Sequence, residues 1–386
     1  MTLPAEARVD LDAVRANVEA LREHAAGAEV MTVVKADGYG HGMVPAARAA
    51  RAGGATWLGV ALLGEALALR AAGIEGRVLA WLGVPGDQWA DAVAADVDVS
   101  AGAVWAVDEI ARAAATTGRT ARLHLKADTG LSRGGATPAD WPGLLDAALR
   151  HQAEGLVRVV GLWSHLACAD EPGHPSIAAQ LQAFADACRH AESAGARPEV
   201  RHLANSAATL TLPEARYDLV RPGLAAYGLT PVPQLAGPER YGLRPAMTFL
   251  ARLAGVKRVP AGSGVSYGHT YVTKRDATLA LVPLGYGDGV PRAASNAGPL
   301  VVAGRRRRVA GTVCMDQFVV DLGDDDAAAG DEAVLFGARP GEPTAQDWAE
   351  TVGSISYEIV TRIGARVPRT YVGDGAAQAT QRGRVD

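Results

Sequence analysis

Between residues 29 and 223, short apolar or β-branched runs alternate with Ala- and Leu-rich segments of helical period. That alternation implies parallel strands joined by helical crossovers, and it leaves few architectures open. The strand-like runs are 30–34, 57–60, 78–82, 96–99, 122–126, 157–163, 200–203 and 219–221. Helical segments at 44–52, 65–72, 103–115, 141–150 and 177–194 lie between them, several followed by Gly53, Gly73, Gly118 or Gly195 as expected left-handed caps. About eight such units are what a (β/α)8 TIM-type barrel requires, and a chain of 386 residues has room for the barrel and an attachment.

After Gly223 the texture changes, with Pro231, Pro233, Pro238 and Pro245 marking a boundary. Beyond it strand-like runs dominate, at 247–259, 278–283, 300–302, 307–313, 318–322 and 332–336, with helical pieces at 345–351 and 357–363. The fold class is therefore α/β: a barrel over 10–235, then a mostly β C-terminal domain over 236–372 joined by residues 1–9. The Gly/Ala/Gln/Arg-rich 373–386 reads as a flexible tail.

Composition excludes several functions. Hydrophobic residues make up 48% and charged residues 21%, which suits a soluble globular core. A formal charge of -4 offers no footprint for nucleic acid, and Arg305–Arg308, after Gly304, reads as the solvated end of a hairpin. Three cysteines without C-x-x-C spacing argue against disulfides and structural zinc, and no other metal is expected. Residues 1–12 hold no signal or membrane-spanning run, so a cytoplasmic protein is expected, with no membrane partner.

Catalytic groups of a barrel sit at its strand ends. Lys35 follows the first strand and opens the Gly-rich, polar loop 36–42, where a partly desolvated lysine suits Schiff-base chemistry. Position alone leaves an ordinary surface lysine equally open. His165 follows the sixth strand, Asn205-Ser206 the seventh, and Arg221-Pro222-Gly223 the eighth. Ser206 as a helix N-cap, with Gly223 allowing close backbone approach, suits a phosphate at the last two strands. Each residue has a bland role by itself, but five polar positions on one barrel face are harder to dismiss.

The run Val33-Val34-Lys35-Ala36-Asp37-Gly38-Tyr39-Gly40-His41-Gly42 resembles the pyridoxal-phosphate attachment signature of the alanine racemases. Further matches follow in family order: 126–133 (KADTGLSR), Ser164-His165, Asn205-Ser206, Arg221-Pro222-Gly223, Ser266-Tyr267-Gly268, 285–289 (GYGDG), Cys314-Met315-Asp316 and Ile355-Ser356-Tyr357-Glu358. The resemblance spans roughly residues 8 to 372. It implies a pyridoxal 5'-phosphate enzyme that interconverts L-alanine and D-alanine by two-base proton exchange at Cα of the cofactor aldimine. It also implies a head-to-tail homodimer with shared sites, and a role in supplying D-alanine for peptidoglycan.

By the same resemblance, Lys35 carries the cofactor and exchanges the proton on the D face, and Tyr267 of the other subunit does so on the L face. Two bases on opposite faces of a planar carbon are what racemisation needs. A free tyrosine is roughly one part in a thousand ionised at pH 7, so a cation must lie nearby; the resemblance assigns His165 and Arg221 to that relay. Arg221 also faces the pyridine nitrogen, and Asn205 belongs to the cofactor-binding set. Tyr39, Ser206, Gly223 and Tyr357 bind the phosphate. Arg133 reaches the cofactor's phenolic oxygen and the substrate carboxylate, Met315 supplies an N–H, and Tyr286 narrows the entrance. Lys126 matches a lysine often carbamylated in the family, the other reading being an ordinary lysine paired with Asp128.

Three positions depart from the pattern. Thr312 stands where many members have an arginine lining the entrance corridor, and Gly38 and Gly134 replace larger residues. A serine or broad-specificity racemase and a barrel-type pyridoxal-phosphate decarboxylase remain as alternatives. The latter lack the Ser266-Tyr267-Gly268 and Cys314-Met315-Asp316 strings.

Overall fold

The first nine strands are β1 (Ala5–Asp10), β2 (Glu29–Val33), β3 (Trp57–Val60), β4 (Arg77–Ala80), β5 (Asp98–Ala101), β6 (Ala121–Lys126), β7 (Val157–Trp163), β8 (Val200–His202) and β9 (Leu219–Val220). Strands β2 to β9 pair in parallel in the order β8-β7-β6-β5-β4-β3-β2-β9, a near-closed eight-stranded barrel. The computed structural model describes residues 3–374, which divide into two units: 14–38 with 43–243, and 3–13 with 39–42 and 244–374. The expected tail lies, from residue 375 on, outside the described residues.

In the barrel unit, β3 and β5 are buried along their whole length, as expected of strands covered on both faces. Met31, Trp57, Leu79, Val200 and Leu219, from five different strands, form one interior cluster against Trp81. The helix Val104–Thr117 shows how the outer layer is built. It buries Val107, Ile110, Ala111 and Ala114 at three- and four-residue spacing and stops at Gly118 in the left-handed conformation. Gly53 does not take that role after its helix; Gly54, at φ 89°, does.

The second unit holds β1 together with β10 (Met247–Arg252), β11 (Gly255–Val259), β12 (Gly264–Val265), β13 (Tyr271–Val272), β14 (Ala277–Val282), β15 (Pro299–Val302), β16 (Arg305–Ala310), β17 (Phe318–Gly323), β18 (Glu332–Phe336) and β19 (Arg369–Val372). Nine of them form one sheet, in the order β11-β14-β17-β16-β15-β18-β10-β1-β19, and β12 and β13 form a separate ladder. The N-terminal strand β1 is antiparallel to β10 and parallel to β19. Arg305–Arg308 lies within β16 of the β15–β16 hairpin, where Arg305 and Arg307 meet Asp325 and Arg306 meets Asp347. Those carboxylates pair three of the four arginines of the basic run within the chain. Among the described residues, no helix is long and apolar enough to cross a membrane.

Candidate active site

Parallel pairing brings the C-terminal ends of β2 to β9 to one mouth of the barrel, where Lys35, Lys126, His165, Asn205, Ser206 and Arg221 follow or end their strands. Arg221 is buried, and burial pulls its guanidinium down to about 9, still cationic at neutral pH. Its Nη2 donates to the carbonyl oxygens of Ser164 (2.8 Å) and Leu203 (3.1 Å) and to His165 Nδ1 (3.3 Å), and its Nη1 donates to His202 Nδ1 (3.1 Å).

Because a guanidinium only donates, both Nδ1 atoms are acceptors, and each of these neutral imidazoles carries its proton on Nε2. The order continues inward. His202 Nε2 lies 2.9 Å from His124 Nδ1, and His124 Nε2 lies 3.1 Å from Asp98 Oδ2, so protons point the same way from Arg221 through two histidines to a carboxylate. Arg77 and Arg122 hold the far end, each 2.6 Å from Asp98. Burial alone would raise the Asp98 carboxyl, but His124 and Arg77 outweigh it and bring it down to about 2. His165 and His202 are both held well below the usual imidazole range, first by burial and then by Arg221, so both are neutral.

Four cations gather at this mouth. Burial lowers the Lys35 amine, Arg133 lowers it further, and Glu65 opposes. Lys126 is brought down to about 8 by burial, then by Arg133 and Arg221. No carboxylate lies within ion-pair distance of either lysine among the described residues. Lys126 Nζ sits 4.6 Å from the Trp163 ring centroid, and Asp128 instead accepts N–H bonds from Gly130 and Ser132, so the Lys126–Asp128 pair does not form.

The loop after Lys35 turns left-handed: Ala36, Asp37, Gly38 and Tyr39 all have φ between 52° and 62°. Such a run is costly for non-glycine residues. Glu65 Oε1 accepts from the Ala36 N–H, Asp37 Oδ1 accepts from the Met43 N–H, and the Val34 carbonyl accepts from the Gly38 N–H. Gly38 is fitted to its place, since a Cβ there would lie 3.3 Å from Ala46 Cβ and from the Met43 backbone. Gly134, with Lys126 Nζ as its nearest neighbour at 3.6 Å, has room.

One expected cap shifts by a residue. Asn205, not Ser206, caps the helix Ser206–Thr211, its Oδ1 accepting from the Ala208 N–H at 3.0 Å. Ser206 stands inside the first turn, and its Oγ accepts instead from the N–H groups of Gly223 (2.9 Å) and Ala225 (3.3 Å). The loops after β8 and β9 are thereby tied together.

The second unit gathers the remaining candidates. Tyr267, Tyr286 and Met315 are all exposed. The Tyr286 N–H donates to the Cys314 carbonyl (3.0 Å), the Gly287 N–H to Met315 (2.9 Å), and the Thr312 hydroxyl to Tyr267 (2.9 Å), so the three lie on one connected loop cluster. Gly285 permits this approach, because a Cβ would fall 2.2 Å from the Cys314 oxygen. Tyr39 and Tyr357 also belong to this unit, with ring centroids 6.2 Å apart; burial and then Tyr357 push the Tyr39 hydroxyl upward.

Asp98, His124 and His202 were not among the sequence candidates. For His124 a signal was present, since Arg122, His124 and Lys126 alternate along β6 on one face of an otherwise apolar strand.

A barrel with desolvated lysines and a buried arginine at its mouth, followed by a sheet domain, defines an enzyme suited to an anionic, amine-reactive cofactor. The alanine racemase N-terminal domain profile matches residues 9–231, and the C-terminal domain profile matches 246–371. An alanine racemase of Frankia casuarinae is 62% identical over 94% of this chain and 95% of its own length, and one of Thermobifida fusca is 62% identical over 96% and 98%. The crystal structure of alanine racemase from Streptomyces lavendulae superposes with a TM-score of 0.96 at 61% identity, covering 97% of this chain and 98% of its own. The chain belongs to the alanine racemase family.

Proposed function

We propose that the chain is an alanine racemase, a pyridoxal-phosphate-dependent isomerase that interconverts L- and D-alanine. The observation that carries this reading is the convergence of Lys35, Lys126, Arg133 and Arg221 at one barrel mouth, where each lysine's amine is lowered by burial and by its cationic neighbours. A mouth so charged fits a phosphate and a carboxylate, and a lysine so lowered fits covalent attachment.

The cofactor, when bound, supplies an electron sink for the pair left on Cα after its proton departs. The rest falls to the chain. Lys35 holds the cofactor and then the Cα proton on the D face; Tyr267 holds it on the L face. Ser206, Gly223, Tyr39 and Tyr357 are the residues that would hold the phosphate, with Asn205 fixing the turn that carries Ser206. Arg221 would donate to the cofactor's ring nitrogen while keeping its own proton, which would discourage transamination. His165, with its proton on Nε2, would donate toward the Tyr267 oxygen. Arg133 takes the carboxylate with the Met315 N–H, and Tyr286 admits small side chains.

Lys126 at about 8 is roughly one part in ten neutral at pH 7. The neutral amine adds carbon dioxide and releases a proton, giving a carbamate anion that orients Arg133. Intact-protein mass measured under gentle conditions checks this, with Lys126→Ala expected to remove the increment.

Tyr267 is 75% exposed, beside the exposed Met315 and Tyr286. Large apolar side chains left uncovered together support a head-to-tail homodimer in which Tyr267 completes the partner's site. Mixing Lys35→Ala with Tyr267→Ala should then restore up to about a quarter of native activity, since half of freely exchanged dimers hold one intact site. No recovery after verified exchange would exclude shared sites. The reading places the enzyme in the cytoplasm, making D-alanine for peptidoglycan.

The direct test follows the optical rotation of L-alanine, with L-serine and L-lysine beside it, using cofactor-loaded protein. Decay to zero for alanine alone, with amino acid conserved, is the expected result. Conversion of lysine to an amine with alanine unchanged would overturn the assignment in favour of decarboxylation.

A further inference from the structure

Ser266 has φ 61° and ψ −173°, a region of backbone space reserved essentially for glycine. Such strain persists only where surrounding contacts over-determine the chain. Here the contacts are reciprocal. Ser266 Oγ donates to the Thr312 carbonyl oxygen at 2.6 Å, and Thr312 Oγ1 donates back to the Tyr267 carbonyl oxygen at 2.9 Å. Thr312 is buried and pinned from its other side: the Gly311 N–H donates to Asn296 Oδ1 at 2.6 Å, and the Val313 N–H donates to Ser295 Oγ at 3.0 Å.

The side chain carried by this strained loop is the 75%-exposed Tyr267 ring, for which no hydrogen bond to the hydroxyl is found among the described residues. Its direction is therefore set through its own backbone.

We propose that Ser266 and Thr312 form a clasp that fixes the Tyr267 peptide, making Thr312 a positioning residue for proton exchange on the L face. The proposal rests on Tyr267 as the L-face base. A slackened clasp slows transfer between the Tyr267 oxygen and Cα and leaves transfer at Lys35 unchanged. A purely structural role would slow both alike.

The experiment compares holoenzyme carrying Thr312→Val, Thr312→Ser, Ser266→Gly or Tyr267→Phe, with deuterium isotope effects measured separately from L- and D-[2-2H]alanine. Thr312→Val should slow racemisation about fivefold to tenfold, the scale of one hydroxyl hydrogen bond. The isotope effect from L-alanine should rise and that from D-alanine should fall. Thr312→Ser should restore native values. Ser266→Gly relieves the strain while removing the hydroxyl, so it should show the same skew with no loss of melting temperature. That variant keeps the question decidable where Thr312→Val folds poorly.

An unchanged L-to-D ratio in Thr312→Val or Ser266→Gly, with Tyr267→Phe losing L-face exchange, would overturn the clasp alone. Retention of L-face exchange by Tyr267→Phe would overturn the base assignment, and the clasp with it.

Discussion

With Lys35 in its proposed role, Lys35→Ala should abolish the visible band expected of a covalently attached cofactor and lower racemisation by at least about a thousandfold, the scale of losing a nucleophile together with a proton carrier. The variant should still fold. The Lys35 side chain forms no hydrogen bond or ion pair among the described residues, and it stands beside Arg133, a cation that repels it. Glu65, the one carboxylate acting on it, is already engaged by the N–H groups of Ala36 (2.7 Å), Ala61 (2.9 Å) and Leu62 (3.0 Å). Removing Lys35 therefore leaves the left-handed turn intact and relieves like-charge repulsion, so the melting temperature should hold or rise. Absorbance of the purified variant in the visible range, beside its melting curve, separates the outcomes. A surviving band would take Lys35 out of its role; a lost band with a collapsed melting temperature would make its role structural.

The barrel was legible because a parallel sheet buried on both faces leaves short apolar runs at a regular spacing. Strands 57–60 and 157–163 coincide with the sequence reading residue for residue. The fourth barrel strand, β5, does not: expected at 96–99, it occupies Asp98–Ala101, because Asp96 turns left-handed at φ 58°. Helix Leu11–Ala25 is absent from the expected elements even though Leu11, Val14, Val18 and Leu21 mark its buried face. The single run expected at 247–259 breaks at Leu253-Ala254 into β10 and β11, which pair with different neighbours, and no proline or glycine pair announces the break.

At the mouth of the barrel, the Gly-rich loop pointed to Lys35 because unusual composition is local. The partners of Arg221 are not local. His202 lies 19 residues from it in sequence, His124 lies 78 residues from His202, and Asp98 lies 26 from His124. Only strand order and inward alternation bring them together. The shift from Ser206 to Asn205 as cap has a similar origin, because the amides that claim Ser206 Oγ come from the next strand's loop.

Asp98→Asn should lower the melting temperature by about 6–12 °C, from the loss of about 3 kcal/mol when one member of a buried charge network is neutralised. Arg77 and Arg122 would then face each other across a neutral amide, while His124 keeps an oxygen to donate to. The pH dependence distinguishes this from a packing defect. Asp98 lies at about 2 in the folded chain against an ordinary 3.8, so its charge contributes stability above 3.8 that is lost as pH falls toward 2. The shift corresponds to about 2 kcal/mol. The gap in urea resistance between native protein and variant should be full at pH 6 and narrow from pH 4 downward; a constant gap would assign the loss to packing. Catalysis should respond less than stability, because His124 and His202 retain their proton order and Arg221 keeps its acceptor. His202→Phe removes that acceptor and leaves the Arg221 Nη1 without its ring partner, so it should cost more activity than Asp98→Asn. A reversed ranking would mean that the carboxylate, through its charge, governs the guanidinium more than the neighbouring imidazole does.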